Sequence, residues 1–500
     1  MLDRSPASPS PLHMSDQLRD NAVELSDGDP NVAAVDDGDV RTFTVVLSGT
    51  AKGAPLLVDS FGYKFCVKRS RGNMTDWRCS VRTKANTCPA VVIQNDNEFD
   101  PRGSHTHPPV FGLDVAAHVK LNIKHQAVGN IFQPATNVVD QCLQNLNPNQ
   151  PMHAIPGVHN LARAVNYCRR RHRPADPQSL DFELETASIP AGFLVSDVTV
   201  QSAQHIMFAT ANMLQLLSKA EEWYVDATFK VVKQPFQQLF SVHTFVKRDT
   251  AVKQIPLVFA LMSSRRKRDY QAVFREIIRR LPSAPAVKTV VSDFELAVWK
   301  GAQSVLPSSV QHRGCAFHWA QAVWRQLQQL GLAAEYRQQD SVHRFCRRIM
   351  SLPFLLATAI SPTFANLRSH ATCAALQQLV HYVDTQWVKH AVWPPQTWSV
   401  YRRAVRTNND CESWHARLNR KAESGNLPLY KLITLLHHEA KAVHISLSLL
   451  NDGKVQRVTS KSQRHVQSKL ISLWDDYDNG TKSADELLTA CARVYAPALS

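Results

Sequence analysis

The chain has 500 residues, 44% of them hydrophobic and 20% charged, which are the proportions of a folded protein rather than a disordered one. No apolar run reaches the roughly 18–20 residues that cross a bilayer, and the start is neither a signal nor a transit peptide, so an intracellular protein without a membrane span is expected. The formal net charge of +15 hides an asymmetry: residues 1–40 carry −7 and the other 460 therefore carry +22, a balance that suits a polyanionic partner such as nucleic acid.

In chain order, residues 1–40 read as a disordered acidic tail, polar and poor in aromatics. RTFTVVL at 41–47 and PLLVDSFGYKFCV at 55–67 read as strands, so 41–110 is a small β-rich module. Residues 111–185 turn helical between prolines and contain the basic run RRRHR at 169–173; this is a helical linker region with the charge to contact DNA. From 220 to 332 three strands (EEWYVDATFKVV, QLFSVHTFV, QIPLVFALM) precede a helix (RDYQAVFREIIRRL), a strand (VKTVVSDFE), a helix (LAVWKGAQSVL), a strand (VQHRGCAFHW) and a helix that stops near Gly331. That is the RNase H order. Residues 333–405 read as an all-helical insertion, 410–422 as a further helix, and 426–500 as a helical basic tail.

Ten cysteines in an intracellular chain argue for metal ligands and buried thiols over disulfides. Cys79, Cys88, His105 and His107 give C-x8-C-x16-H-x-H, a thiolate and imidazole set that fits tetrahedral Zn2+. With GYKF at 62–65, WRC at 77–79, CPA at 88–90 and HTH at 105–107, residues 45–108 resemble the FLYWCH zinc finger. The resemblance implies one bound zinc and a DNA-binding or protein-binding module, with Cys66 a spare thiol. Lys64, Lys68, Arg69, Arg71, Arg78, Arg82 and Lys84 supply cations for phosphate contact.

Asp226 sits within a strand at WYVDATF, where a carboxylate is costly unless paired. Asp293 repeats the arrangement in TVVSDFE, and in an RNase H-like sheet the two strands are neighbours. Divalent Mg2+ or Mn2+ prefers such oxygen ligands. A third acid is expected from a later helix, and Glu412 in TNNDCESWHARLNRK is the candidate, with Asp410 the alternative. Glu295 reads equally as a support for Asp293 or as a solvated acid.

These segments, from about 160 to 425, closely resemble the Mutator-like (MULE) transposase domain. The resemblance implies Asp226, Asp293 and Glu412 as a catalytic, magnesium-binding DDE set, with Glu412 following Asn408 and Asn409. It also implies a C-x2-H pair, Cys315 and His318, either structural or metal-binding. The fold implied is α/β: an RNase H-like core over 186–425 with the helical insertion 333–405, preceded by the zinc finger. The activity implied is metal-dependent cleavage and transfer of DNA strands in the nucleus. The alternative is a domesticated transposase acting as a non-catalytic chromatin or transcription regulator; an RNase H-fold nuclease acting on RNA is a third reading. A homo-oligomer, and a protein partner for the finger, remain open. Trp387, Trp393 and Trp398 read as insertion core or as base-stacking surfaces, and RRKR at 265–268 as a nuclear signal, phosphate contacts or a solvated face.

Overall fold

The computed structural model describes residues 41–47, 49–50, 53–248, 251–403, 405–406, 409–422, 425–451 and 461–495. The acidic tail expected at 1–40 lies outside them. The chain divides into two compact units, Met1–Arg171 and His172–Ser500. No described helix is long and apolar enough to cross a membrane.

The first unit opens with six strands: β1 (Phe43–Val46), β2 (Leu56–Asp59), β3 (Lys64–Arg71), β4 (Met74–Cys79), β5 (Val91–Asn95) and β6 (Glu98–Arg102). They form one antiparallel sheet in sequence order. The period-2 alternation puts Leu57, Phe65, Trp77, Cys79 and Val92 on one face, where they pack with Cys88. Cys66, one residue out of phase with Phe65, faces away from that core, which suits a spare thiol. Gly62 holds φ +86, and a Cβ there would lie 2.6 Å from the Val110 carbonyl. That close approach, with Val110 N–H donating to Gly62 O, ties the segment after His107 back to the β2–β3 turn.

Three helices complete this unit: α1 (Leu113–Gly129), α2 (Ala135–Gln144) and α3 (Val158–Arg169). Val119, Ile123, Val138, Val139, Leu161 and Val165 form their common core. Arg169 is fully buried and donates to the carbonyls of Ala127, Asn130 and Gln133. The first cation of the RRRHR run is therefore a staple for the end of α1, not a surface charge. Arg170 and Arg171 remain exposed.

The second unit is built on a seven-stranded mixed sheet. Its elements run β7 (Leu194–Val200), β8 (Ala203–Phe208), α4 (Ala211–Lys219), β9 (Glu222–Thr228), β10 (Gln238–Arg248), β11 (Ala251–Met262), α5 (Lys267–Arg280), β12 (Thr289–Ser292), α6 (Leu296–Gln303), β13 (Gln311–Gly314) and α7 (Ala316–Gln329). The spatial order is β13-β12-β9-β10-β11-β8-β7. β12 is parallel to both β9 and β13, and the remaining pairs are antiparallel. The strand and helix order expected over 220–332 is present. Boundaries differ: EEWYVDATFKVV ends at Thr228, VKTVVSDFE ends at Ser292 and leaves Asp293 in the loop beyond it, and VQHRGCAFHW ends at Gly314, with Cys315 already capping α7. The β7–β8 hairpin, which widens the sheet, was not anticipated.

Beyond α7 come α8 (Ala333–Gln338), α9 (Asp340–Met350), α10 (Ala357–Arg368), α11 (Ala374–Val383), α12 (Pro395–Trp398), α13 (Asn409–Lys421), α14 (Leu429–Asn451), α15 (Lys461–Asp478) and α16 (Ala484–Val494). A second core of this unit gathers Trp319, Phe345, Ile349, Phe364, Leu379 and Trp398 with Leu470, Trp474, Leu487 and Cys491. So α15 and α16, read from sequence as part of a basic tail, pack into the core of the 333–405 helices. Trp387 and Trp398 are buried there, and Trp398 Nε1–H donates to the Trp393 carbonyl. These tryptophans are core, not exposed stacking surfaces.

Candidate functional site: an acidic centre and a Cys/His cluster

β9 is buried through its middle, where Trp223, Tyr224, Val225 and Asp226 all lie within the protein. Asp226 is 8% exposed and pairs in register with Ser241 of β10. On the other side β12 pairs Val291 with Tyr224; the same offset carried two residues on sets Asp293 beside Asp226. Burial raises the Asp226 carboxyl above its usual range; the Asp293 charge adds to this, while His415 and the Ala227 N–H oppose it.

α13 brings Glu412 to the same place, and α7 brings His318. His318 Nδ1 lies 2.7 Å from Asp293 Oδ1 and its Nε2 lies 3.1 Å from Glu412 Oε1, so the imidazole stands between the two carboxylates. Burial works against a charge on His318, but Asp293, Cys315 and Glu412 outweigh it and raise its pKa far above the usual range. Neither contact has hydrogen-bond alignment: Asp293 Oδ1, Glu412 Oε1 and His318 Nδ1 are buried without an aligned partner. Asp410 does not join this group; it lines a groove on the far side of α13 with Lys253, Ser413 and Arg417. Glu295 points elsewhere too, accepting a hydrogen bond from the Tyr270 hydroxyl at 3.1 Å.

The sequence reading missed a buried histidine relay behind Asp226. His415 Nδ1 is 3.2 Å from Asp226 Oδ2, its Nε2 is 3.1 Å from Ser241 Oγ, and Ser241 Oγ is 2.8 Å from His243 Nε2. The signal was present: His415 follows Glu412 by three residues on one helix, and His243 follows Ser241 by two on one strand. Cys315 is buried at the start of α7, where its N–H donates to Ser292 O. Phe294, next to Asp293, lies over Gly314: a Cβ on Gly314 would fall 2.0 Å from its ring. Phe294 meets Trp387 edge-on at 4.6 Å, so the loop bearing Asp293 is clamped by the insertion.

The acidic centre and the Cys/His cluster differ in the cations they suit. An all-carboxylate set with unaligned buried oxygens fits a hard divalent cation. Among the described residues, however, these three acids are not as tightly gathered as the cluster in the first unit.

There the ligand atoms of Cys79, Cys88, His105 and His107 lie within 4.8 Å of one another. Cys79 Sγ is 3.2 Å from His107 Nε2, and Cys88 Sγ is 3.4 Å from His105 Nδ1. Tetrahedral zinc with Zn–S near 2.3 Å and Zn–N near 2.0 Å sets such pairs about 3.5 Å apart, so the donors fit. His107 Nδ1–H donates to the Pro108 carbonyl at 3.0 Å, which leaves Nε2 free as a ligand. His105 stacks on Tyr63 at 3.6 Å, and burial, with His107 and Arg41, holds its pKa down to about 4, in the neutral form a metal requires. Backbone N–H donors of Thr106 and Ala90 overcome burial and bring the Cys88 thiol down to about 7, while burial pushes Cys79 up to about 11. Lys64, Lys68, Arg69, Arg71, Arg78, Arg82 and Lys84 are all exposed on this module.

Among known families, residues 222–322 match the MULE transposase domain. The match spans β9 to α7 and so includes Asp226, Asp293, Cys315 and His318; Glu412 and the Cys/His cluster lie outside it. It supports a transposase-like protein. No curated protein matches the chain.

Proposed function

We propose that the second unit is an RNase H-like DDE nuclease and strand transferase of Mutator type, acting on DNA. The observation that carries this reading is the convergence of Asp226, Asp293 and Glu412, from two adjacent strands and a distant helix, within a segment that begins in a MULE transposase match. Asp226, Asp293 and Glu412 would hold Mg2+ or Mn2+, and His415 would fix the Asp226 carboxylate by hydrogen bonding. The cations, when bound, activate a water or 3′-OH and stabilise the leaving oxygen. His318 supplies a positive imidazole between two of the acids, offsetting their mutual repulsion while the cations are absent. The sheet module of the first unit, 41–110, is a FLYWCH-type finger holding one structural Zn2+, which places its exposed cations against DNA phosphates or a partner protein. The domain organisation follows: finger over 41–110, helical linker over 111–185, core over 186–425. Nuclear localisation is part of the same reading.

The second reading, a DNA-binding regulator without catalysis, is favoured by the position of His318: as long as the imidazole separates Asp293 from Glu412, the acids are closed to a shared cation. Strand transfer separates the two. A labelled oligonucleotide with a free 3′-OH is incubated with plasmid and Mn2+; covalent joining supports the transferase, and tight DNA binding without joining or cutting supports the regulator. An RNA strand offered in parallel and cut in preference would point to the nuclease on RNA.

A further inference from the structure

A cavity lined by none of the acids lies among the helices of the second unit. It measures about 580 Å³ and opens between α9, the turn from α10 to α11, and α16. Pockets of this size take one ligand moiety of nucleotide dimensions. Arg344, Arg347, Arg348 and Arg493 line it, with no carboxylate in the lining.

The arginines are arranged for anions outside themselves. Arg344, Arg347 and Arg348 share the i, i+3, i+4 face of α9, so they form a row along the helix. Arg347 is braced by the Tyr495 carbonyl at 2.9 Å, and Arg348 pairs with Asp485. Arg344 and Arg493 are exposed and have no carboxylate partner among the described residues. The Nε atoms of Arg347 and Arg348 are buried without a hydrogen-bond partner. His343 and His370 add donors at the rim, and Phe345 and Leu376 give an apolar wall.

We propose that this pocket is a second DNA site, which seats one nucleotide of a bound strand and grips the phosphates on either side. Guanidinium is the side chain whose fork matches a phosphate, and Arg344 and Arg493 offer two exposed ones, with Arg347 and Arg348 held beside them by Tyr495 and Asp485. The row along α9 follows successive backbone phosphates, while the Phe345 and Leu376 wall covers a sugar or base. The inference rests on the DNA reading above but concerns residues other than its acids.

The test is fluorescence anisotropy of a labelled duplex, and of the same strand alone, with the full chain over a range of salt. The charge-reversal pair Arg344→Glu, Arg493→Glu is compared with Arg344→Lys, Arg493→Lys. Both positions are exposed, and thermal melting checks that the fold is retained. The expected result is at least about tenfold weaker binding for the reversal pair, with the slope of log K against log salt reduced by about 2, and near wild-type binding for the lysine pair. Unchanged affinity and slope in the reversal pair, while wild type binds DNA, overturn this site and leave the acidic centre standing. A wild type that binds no DNA overturns both. Titration with ATP distinguishes the remaining source: ATP bound by wild type and lost in the reversal pair, with DNA binding unchanged, also overturns the DNA site.

Discussion

At the residue scale, the centre depends on how a few buried polar groups are partnered. His415 is the only described side chain within ion-pair distance of the Asp226 carboxylate, so His415→Ala leaves that acid buried beside Asp293 with less to offset the repulsion. The expected outcome is weaker Mn2+ binding by calorimetry together with a lower melting temperature; equal Mn2+ affinity in the variant would contradict the positioning role. His312 offers a pH test remote from any proposed ligand. Burial holds its pKa down to about 4, below the unfolded value near 6.5. The unfolded chain therefore binds more protons between those values, so stability is complete above about pH 6.5 and falls as pH drops toward 4. His312→Asn removes part of that acid loss, read as a flatter dependence of melting temperature on pH. In the first unit, Cys88→Ser removes one of four closely placed donors; zinc content by mass spectrometry should fall from one ion per chain toward none.

At the scale of the element, period and spacing made much of the architecture legible. WYVDAT, TVVS and the apolar pattern of α5 announce strand, strand and helix because each buries a run of apolar side chains. What stayed hidden depended on contacts distant in sequence. The β7–β8 hairpin lacks strong alternation, since β8 is buried on both faces. Cys315 and His318 were read as strand because VQHRGCAFHW is uniformly compatible with a strand, and only the pairing of Gly314 with Ser292 sets its end. Arg169 looked like one more cation in a basic run because nothing local marks it as buried. Two elements give direct tests. Gly314→Ala forces the Phe294 ring aside and with it the Asp293 loop; the expected result is loss of cutting that exceeds any loss of stability. Arg169→Ala strips three carbonyls of their donor and should destabilise the first unit by about 3 kcal/mol, measured by denaturant unfolding.

At the scale of the whole molecule, the charge asymmetry and the ordering of segments were visible, and the closure of the helical core was not. α15 and α16 lie more than fifty residues beyond the insertion, and their apolar faces read equally as a free amphipathic tail. Their Leu470, Trp474, Leu487 and Leu488 complete the packing around Trp398 and Phe345. Truncation before α15 should therefore expose that core and give an aggregating chain, seen by size-exclusion chromatography, rather than a tail-less protein with normal behaviour. The three acids were named from their local words. His318 was named only as part of a C-x2-H pair, and its place between Asp293 and Glu412 follows from β13, parallel to β12, running into α7, and from α13 bringing Glu412 to the same imidazole.

The central claim is that Asp226, Asp293 and Glu412 act together on DNA through divalent cations. Nicking of supercoiled plasmid in Mg2+ or Mn2+, with wild type beside Asp293→Ala and Glu412→Ala, tests it most directly. The account predicts metal-dependent nicking by wild type and none above background in either variant. Nicking that persists in both variants would contradict it.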